Sequence, residues 1–165
     1  MKLQKLTVLS LFCLLALIVL NSCEPRAELK RTTNYEKQGI ILSGAQETPA
    51  VPSTAIGTMN VFYSKNTRTL TYSVQWSGLT GAVTAMHIHG VSPTGYPSGV
   101  VQTISTSAIT RCAASSTTAC GSYSGSFHAD GVVVKENDLL NGAYYVNIHT
   151  AAYPGGEIRG QIIFQ

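Results

Sequence analysis

Two short stretches far apart in the chain, Met86-His87-Ile88-His89-Gly90 and Tyr145-Val146-Asn147-Ile148-His149-Thr150, alternate apolar with polar side chains. A helix burying one face repeats its apolar residues every three to four positions, so alternation of this kind demands extended chain. Successive side chains on a strand point to opposite faces. Met86 and Ile88 therefore share one side and His87 and His89 the other, and the same argument sets Tyr145, Asn147 and His149 against Tyr144, Val146 and Ile148. Three of the four histidines thus sit on strand faces that can meet.

The same reading places strands near 39–42, 56–63, 69–76, 83–89, 100–104, 122–128, 143–149 and 157–164, with a helical turn only at 136–140. Ser64 to Arg68 makes a hairpin, and Tyr153-Pro154-Gly155-Gly156 joins the last two strands. Val, Ile, Thr and Tyr dominate these runs, as strands require. About eight short strands with turn residues at such spacing predict an all-β antiparallel two-sheet β-sandwich of Greek-key, immunoglobulin-like or superoxide-dismutase-like form. Ile158, Ile162 and Phe164 join the apolar faces, and Glu157, Arg159 and Gln161 join the polar ones. Pairing of the last two strands brings His149 close to Glu157 or Arg159. The expected polar-face cluster is His87, His89, Asn147, His149, Glu157 and Arg159.

The amino-terminal segment has a different character. Lys2 and Lys5 precede a mostly apolar stretch, Leu6 to Leu20, that ends in Leu20-Asn21-Ser22-Cys23. Its fifteen helical residues reach about 22 Å, short of the roughly 30 Å hydrocarbon core, so residues 1–22 read as a signal peptide rather than a permanent span. The segment resembles a bacterial lipoprotein signal, which implies lipidation at Cys23, anchorage to the cell envelope (outer membrane or cell surface) and the membrane as a partner. Asn21 stands where a small residue is usual. Residues 23–38 are dense in charge without apolar period and read as a flexible tether, leaving 39–165 as one domain.

Removing Lys2 and Lys5 from the 11 basic residues leaves 9 against 8 acidic ones, a net charge of about +1. Such a balance offers no basic patch for phosphates, so nucleic acid is not an expected partner. Cys13 leaves with the signal and Cys23 takes the lipid. Cys112 and Cys120 remain, and two thiols this close outside the cytoplasm are expected to form a disulfide. They lack the CxxC spacing and the nearby histidine of a metal site.

Two histidines at i and i+2 with a third from a neighbouring strand suit Cu or Zn, which accept neutral imidazole. His87, His89 and His149 are the candidate ligands. The same residues also fit a cofactor-free network in which imidazoles and the Arg159 guanidinium hydrogen-bond to carboxylate and backbone, and a catalytic role is the third reading. No GxSxG, HExxH or phosphate-binding glycine loop occurs, and Ser124, Ser126 and His128 alternate along one strand without forming a triad. Asp130, Glu136 and Asp138 gather on one loop and Glu47 on another, which reads as solvated loop charge. His128 reads as a surface or edge residue. No catalytic residue is assigned and the chain is not expected to be an enzyme.

The motifs taken together carry a family resemblance. Leu42-Ser43-Gly44-Ala45-Gln46-Glu47-Thr48-Pro49, Gly57, His87-Ile88-His89-Gly90 and the run from Tyr145 to Gln161 resemble the CHRD domain, first recognised in chordin and widespread in bacterial secreted proteins. The resemblance spans about Ile41 to Phe164 and leaves out the insert from Thr106 to Gly121. It implies an extracellular all-β module. Chordin itself binds secreted growth factors, so a binding or scaffolding role toward a protein or glycan ligand is the implied function. A fainter similarity to copper/zinc superoxide dismutases rests on His87 and His89 alone, since Val91 to Ser98 contains neither histidine nor aspartate.

Overall fold

A computed structural model describes residues 33–164. The expected signal peptide, Cys23 and the greater part of the expected tether lie outside the described residues. Nine strands and one short helix follow in order: β1 (Asn34–Ser43), β2 (Ile56–Ser64), β3 (Thr69–Ser77), β4 (Val83–Gly90), β5 (Val100–Ile104), β6 (Thr110–Arg111), β7 (Gly121–His128), α1 (Glu136–Leu140), β8 (Tyr144–Thr150) and β9 (Ile158–Gln161). The helical turn stands where the sequence puts it. Among the described residues no helix is long and apolar enough to cross a membrane.

The strand character is as expected, but the two-sheet arrangement needs correction. All nine strands join antiparallel into one sheet, in the order β5-β4-β8-β9-β1-β2-β3-β7-β6. The sheet curls strongly into a half-barrel. Tyr72 of β3 donates its hydroxyl to Gln102 Oε1 of β5 at 3.0 Å, and the Phe127 and Tyr144 rings of β7 and β8 lie 6.3 Å apart. Opposite ends of the sheet therefore face each other across one core, much as two layers would. What makes it one sheet is a narrow seam, where β1 meets β9 at Ser43 and Arg159.

β1 also begins earlier than the sequence suggests. The expected tether loses residues 34–38 to the strand, where Asn34 pairs with Ser64 and Lys37 with Val61. The register then slips between Lys37 and Ile40. Gly39 sits in this bulge at φ 69°, with its N–H donated to Asn60 Oδ1 at 2.9 Å. A side chain is disfavoured at that φ, so glycine permits the slip. The slip interrupts the alternation that a period-two reading needs, which hides the first half of the strand. The two-residue β6 is too short to leave any period.

Alternation predicts the core correctly. Met86, Ile88, Tyr144, Val146, Ile148, Ile158 and Ile162 are fully buried, together with Leu42, Met59, Leu70 and Val74 from the other half of the sheet. Each such aliphatic side chain stabilises the fold by about 2 kcal/mol relative to exposure. Cys112 and Cys120 are disulfide-bonded, with Cα atoms 5.4 Å apart. The loop they close is tied to the sheet by the Trp76 indole N–H, donated to Thr118 O at 2.9 Å, and by Val83 N–H, donated to Thr118 Oγ1 at 2.7 Å.

Candidate metal centre

β4 and β8 run side by side with His87 opposite Asn147 and His89 opposite Tyr145, and β9 adds Arg159 opposite Asn147. The polar residues of three neighbouring strands thus lie on one face, as the sequence predicts. The surroundings differ from the expectation. His89, Asn147, His149, Arg159 and Gln161 are all buried, and Arg159, at 2% exposure, is the largest fully buried side chain among the described residues. Only His87 is half-buried. Loops 44–55, 91–99 and 151–157 supply the partners that cover this face, so it forms a second, polar interior rather than a solvated surface.

Buried polar groups need partners, and most of these have them. Tyr145 stacks on His89, with ring centroids 4.8 Å apart and planes 3° from parallel, and Arg159 Cζ lies 3.4 Å from the same ring's centroid. Cation–π attraction and hydrogen bonds hold the guanidinium, which donates Nη2–H to Gln161 Oε1 at 3.0 Å. Gln161 in turn donates to Ser92 O at 3.1 Å and Gly142 O at 2.6 Å. Burial lowers the Arg159 pKa from its ordinary value, against the opposing influence of Tyr145 and Glu47.

The imidazoles converge. His87 Nδ1 lies 3.0 Å from His149 Nε2, and one ligating nitrogen from each of His87, His89 and His149 falls within 4.8 Å of the others. His149 Nδ1 donates to Pro154 O and His89 Nδ1 to Ser98 O, both at 2.9 Å. A carbonyl only accepts, so in both rings Nδ1 carries a proton, and in the neutral form of each ring Nε2 presents a lone pair. His89 Nε2 is buried and has no hydrogen-bond partner. Burial first, then the neighbouring imidazoles, lowers the His87 pKa. Burial also lowers that of His149, with the Pro154 carbonyl opposing. Both rings are therefore neutral at pH 7, the state in which imidazole binds metal.

Glu157 does not join the cluster, which corrects the expected polar face. It precedes β9, in the turn, where strand alternation no longer governs its direction. Its carboxylate accepts from Ser53 at 2.8 Å, Thr80 N–H at 2.9 Å, the Thr80 hydroxyl at 2.8 Å and the Thr150 hydroxyl at 2.6 Å. Burial alone pushes this carboxyl up, but the hydrogen bonds outweigh it and hold the pKa below the ordinary value.

Glu47 takes the place beside the cluster that Glu157 leaves. The reading of Glu47 as solvated loop charge is thus also corrected, since it is buried at 9% exposure and its Oε1 has no hydrogen-bond partner. Burial raises its pKa to about 7, opposed by the Arg159 charge and by the Asn147 amide. Gly156, at φ 128°, leaves the room this requires, because a Cβ there would run into Glu47 Oε1 and the Asn147 amide nitrogen. Nothing in spacing or alternation points to Glu47. Its one sequence signal is membership of the Ser43-to-Pro49 motif.

The other loop charges behave as expected. Asp130 Oδ1 caps the backbone N–H groups of Val132, Val133 and Val134, Glu136 accepts from the Tyr63 hydroxyl and pairs with Lys65, and His128 is exposed at the end of β7.

The CHRD domain family model matches residues 39–162, a span that contains the histidines, Glu47, Asn147 and Arg159. No curated protein and no solved structure matches the chain.

Proposed function

Since the chain belongs to the CHRD domain family, an extracellular all-β module, we propose that it is an exported binding protein of the cell envelope whose ligand is a copper or zinc ion held by His87, His89 and His149. The observation that carries this reading is the pair of Nδ1–H bonds to Ser98 O and Pro154 O. Histidines that ligate metals characteristically donate their other ring N–H to a carbonyl or carboxylate, which fixes tautomer and ring direction. Here that arrangement turns two lone pairs into one small space beside a third imidazole. Three imidazole nitrogens suit Cu or Zn by ligand type.

The role is binding rather than catalysis, and the disulfide fits an oxidising compartment outside the cytoplasm. Cys23 carries the lipid that anchors the protein to the envelope, outer membrane or cell surface, and the part of the expected 23–38 tether that precedes β1 links it to the domain. A protein or glycan ligand on the outside of the same domain remains compatible with the family.

Elemental analysis after gentle purification, followed by titration with Cu and Zn, tests the metal reading. One equivalent of ion per chain, lost on His89→Ala, is the expected outcome. A protein that takes up neither ion leaves the imidazoles as a hydrogen-bonded network and overturns the reading. Anchorage is tested separately by Cys23→Ser, which should move the protein from the membrane to the soluble fraction; a variant that still fractionates with membranes removes the lipid.

A further inference from the structure

The three imidazoles leave one polar atom of the cluster unexplained. Asn147 Oδ1 lies 3.0 Å from His149 Nε2, in a residue only 3% exposed. With Nδ1–H donated to Pro154 O, Nε2 of the neutral His149 ring is an acceptor, and an amide oxygen is an acceptor too. Two acceptors at this distance repel unless something electron-poor lies against both. The His87 Nδ1–H can satisfy His149 Nε2 at 3.0 Å, but His89 Nε2 still has no partner. The space thus collects more lone pairs than protons.

An amide flip settles the count only with a protonated Glu47 carboxyl, because it sends the amide oxygen toward Glu47, whose Oε1 is itself buried and unpartnered. The amide nitrogen and Glu47 Oε1 both flank Gly156 without a hydrogen bond between them, so the orientation that aims Oδ1 at the histidines is the one that turns the amide N–H groups toward the carboxylate. The spacing is also apt. Ligands about 2.0–2.1 Å from a tetrahedral ion stand roughly 3.3 Å from each other, and the His87 Nδ1 to His149 Nε2 and His149 Nε2 to Asn147 Oδ1 separations are both 3.0 Å.

We propose that Asn147 Oδ1 is the fourth donor of the metal centre, closing it as a three-nitrogen, one-oxygen site, and that Glu47 is the positioning residue that aims the amide. This rests on the metal reading above and deepens it. A closed four-coordinate site stores or senses an ion, whereas an open one leaves a position for substrate. Asn147 therefore decides which of the two this domain is.

The experiment loads the purified protein with Co(II) as a spectroscopic stand-in and measures its visible absorption together with Zn affinity by chelator competition, in the wild type and in Asn147→Leu, Asn147→Asp and Glu47→Gln. The wild type should show the intense visible bands of tetrahedral Co(II). Asn147→Leu opens the fourth position to water, which should shift the bands and weaken Zn binding by roughly 10- to 100-fold. Asn147→Asp keeps a protein oxygen in place and should keep a spectrum like that of the wild type. Glu47→Gln should loosen the amide and weaken binding less than Asn147→Leu does. Wild-type binding with spectrum and affinity unchanged in Asn147→Leu overturns the fourth donor while sparing the three histidines. If Asn147→Leu fails to fold, an Asn147→Asp spectrum with affinity equal to wild type supports the oxygen donor, and loss of the tetrahedral bands in that variant overturns it. A wild type that binds no ion removes the metal reading and this inference together.

Discussion

Strands β2 and β8 belong to the same curled sheet, yet they are buried in different ways. Along β2 exposure alternates strictly, with Gly57, Met59, Val61 and Tyr63 inside and Ile56, Thr58, Asn60 and Phe62 outside. Along β8 every residue from Tyr144 to Thr150 is buried, and β9 is the same. The chemistry alternates in both. What differs is that loops 44–55, 91–99 and 151–157 roof the outer face of β8 and β9, while the outer face of β2 meets water. Polar side chains that cost nothing on the open wing must, on the covered wing, be paired one by one.

That contrast predicts how the wings respond to mutation. The largest effect should come from Arg159→Ala, which empties the biggest fully buried side chain, strips Tyr145 of its stacked cation and leaves Gln161 Oε1 without a donor. A loss of about 4 kcal/mol is expected in chemical denaturation; a loss under 1 kcal/mol would mean that the covered wing is no more demanding than the open one.

Next is Glu47→Gln. A carboxyl raised from 4.5 to about 7 in the folded protein binds its proton more tightly there than when unfolded. The stability it contributes is therefore present below pH 4.5 and is lost as pH rises toward 7. Glutamine cannot ionise, so the variant should gain up to about 3 kcal/mol over the wild type at pH 8 and nothing below pH 4.5. His87 and His149 act in the opposite sense. Their lowered values mean that the unfolded chain takes up protons first as pH falls through 6.5, which costs stability on the acid side. Unfolding curves across this range, for the wild type and the glutamine variant, separate the two contributions.

On the open wing, replacing both Cys112 and Cys120 by Ser should cost about 2.5 kcal/mol by freeing the unfolded loop. Metal uptake should not change, since the disulfide lies beside β6 and β7 rather than near the imidazoles. The smallest effect is expected for Thr71→Ala on the outer face of β3, within about 0.5 kcal/mol.

These differences also explain what could be read from the sequence. Alternation fixes which residues share a face, and so it found the buried Met86, Ile88, Val146 and Ile148 and grouped His87, His89, Asn147, His149 and Arg159. It is silent on whether a face is covered. Much of the roof over β8 and β9 comes from segments 44–55 and 91–99, dozens of residues away, so the burial of Arg159 left no local trace. Glu47 sits in a loop without period. Glu157 lies one residue before its strand, where the rule that would assign its side has not begun. The merging of two expected layers into one sheet turns on the single pair of Ser43 and Arg159, which no pattern within either strand specifies.

That seam has a mechanical meaning. β1 is the first strand among the described residues, and a pull on its Asn34 end loads its long ladder with β2, while its far end touches β9 through Ser43. The backbone of Arg159 forms that junction while its guanidinium presses on the ring that stacks on His89. Tension along β1 and the posture of the imidazoles thus meet in one residue.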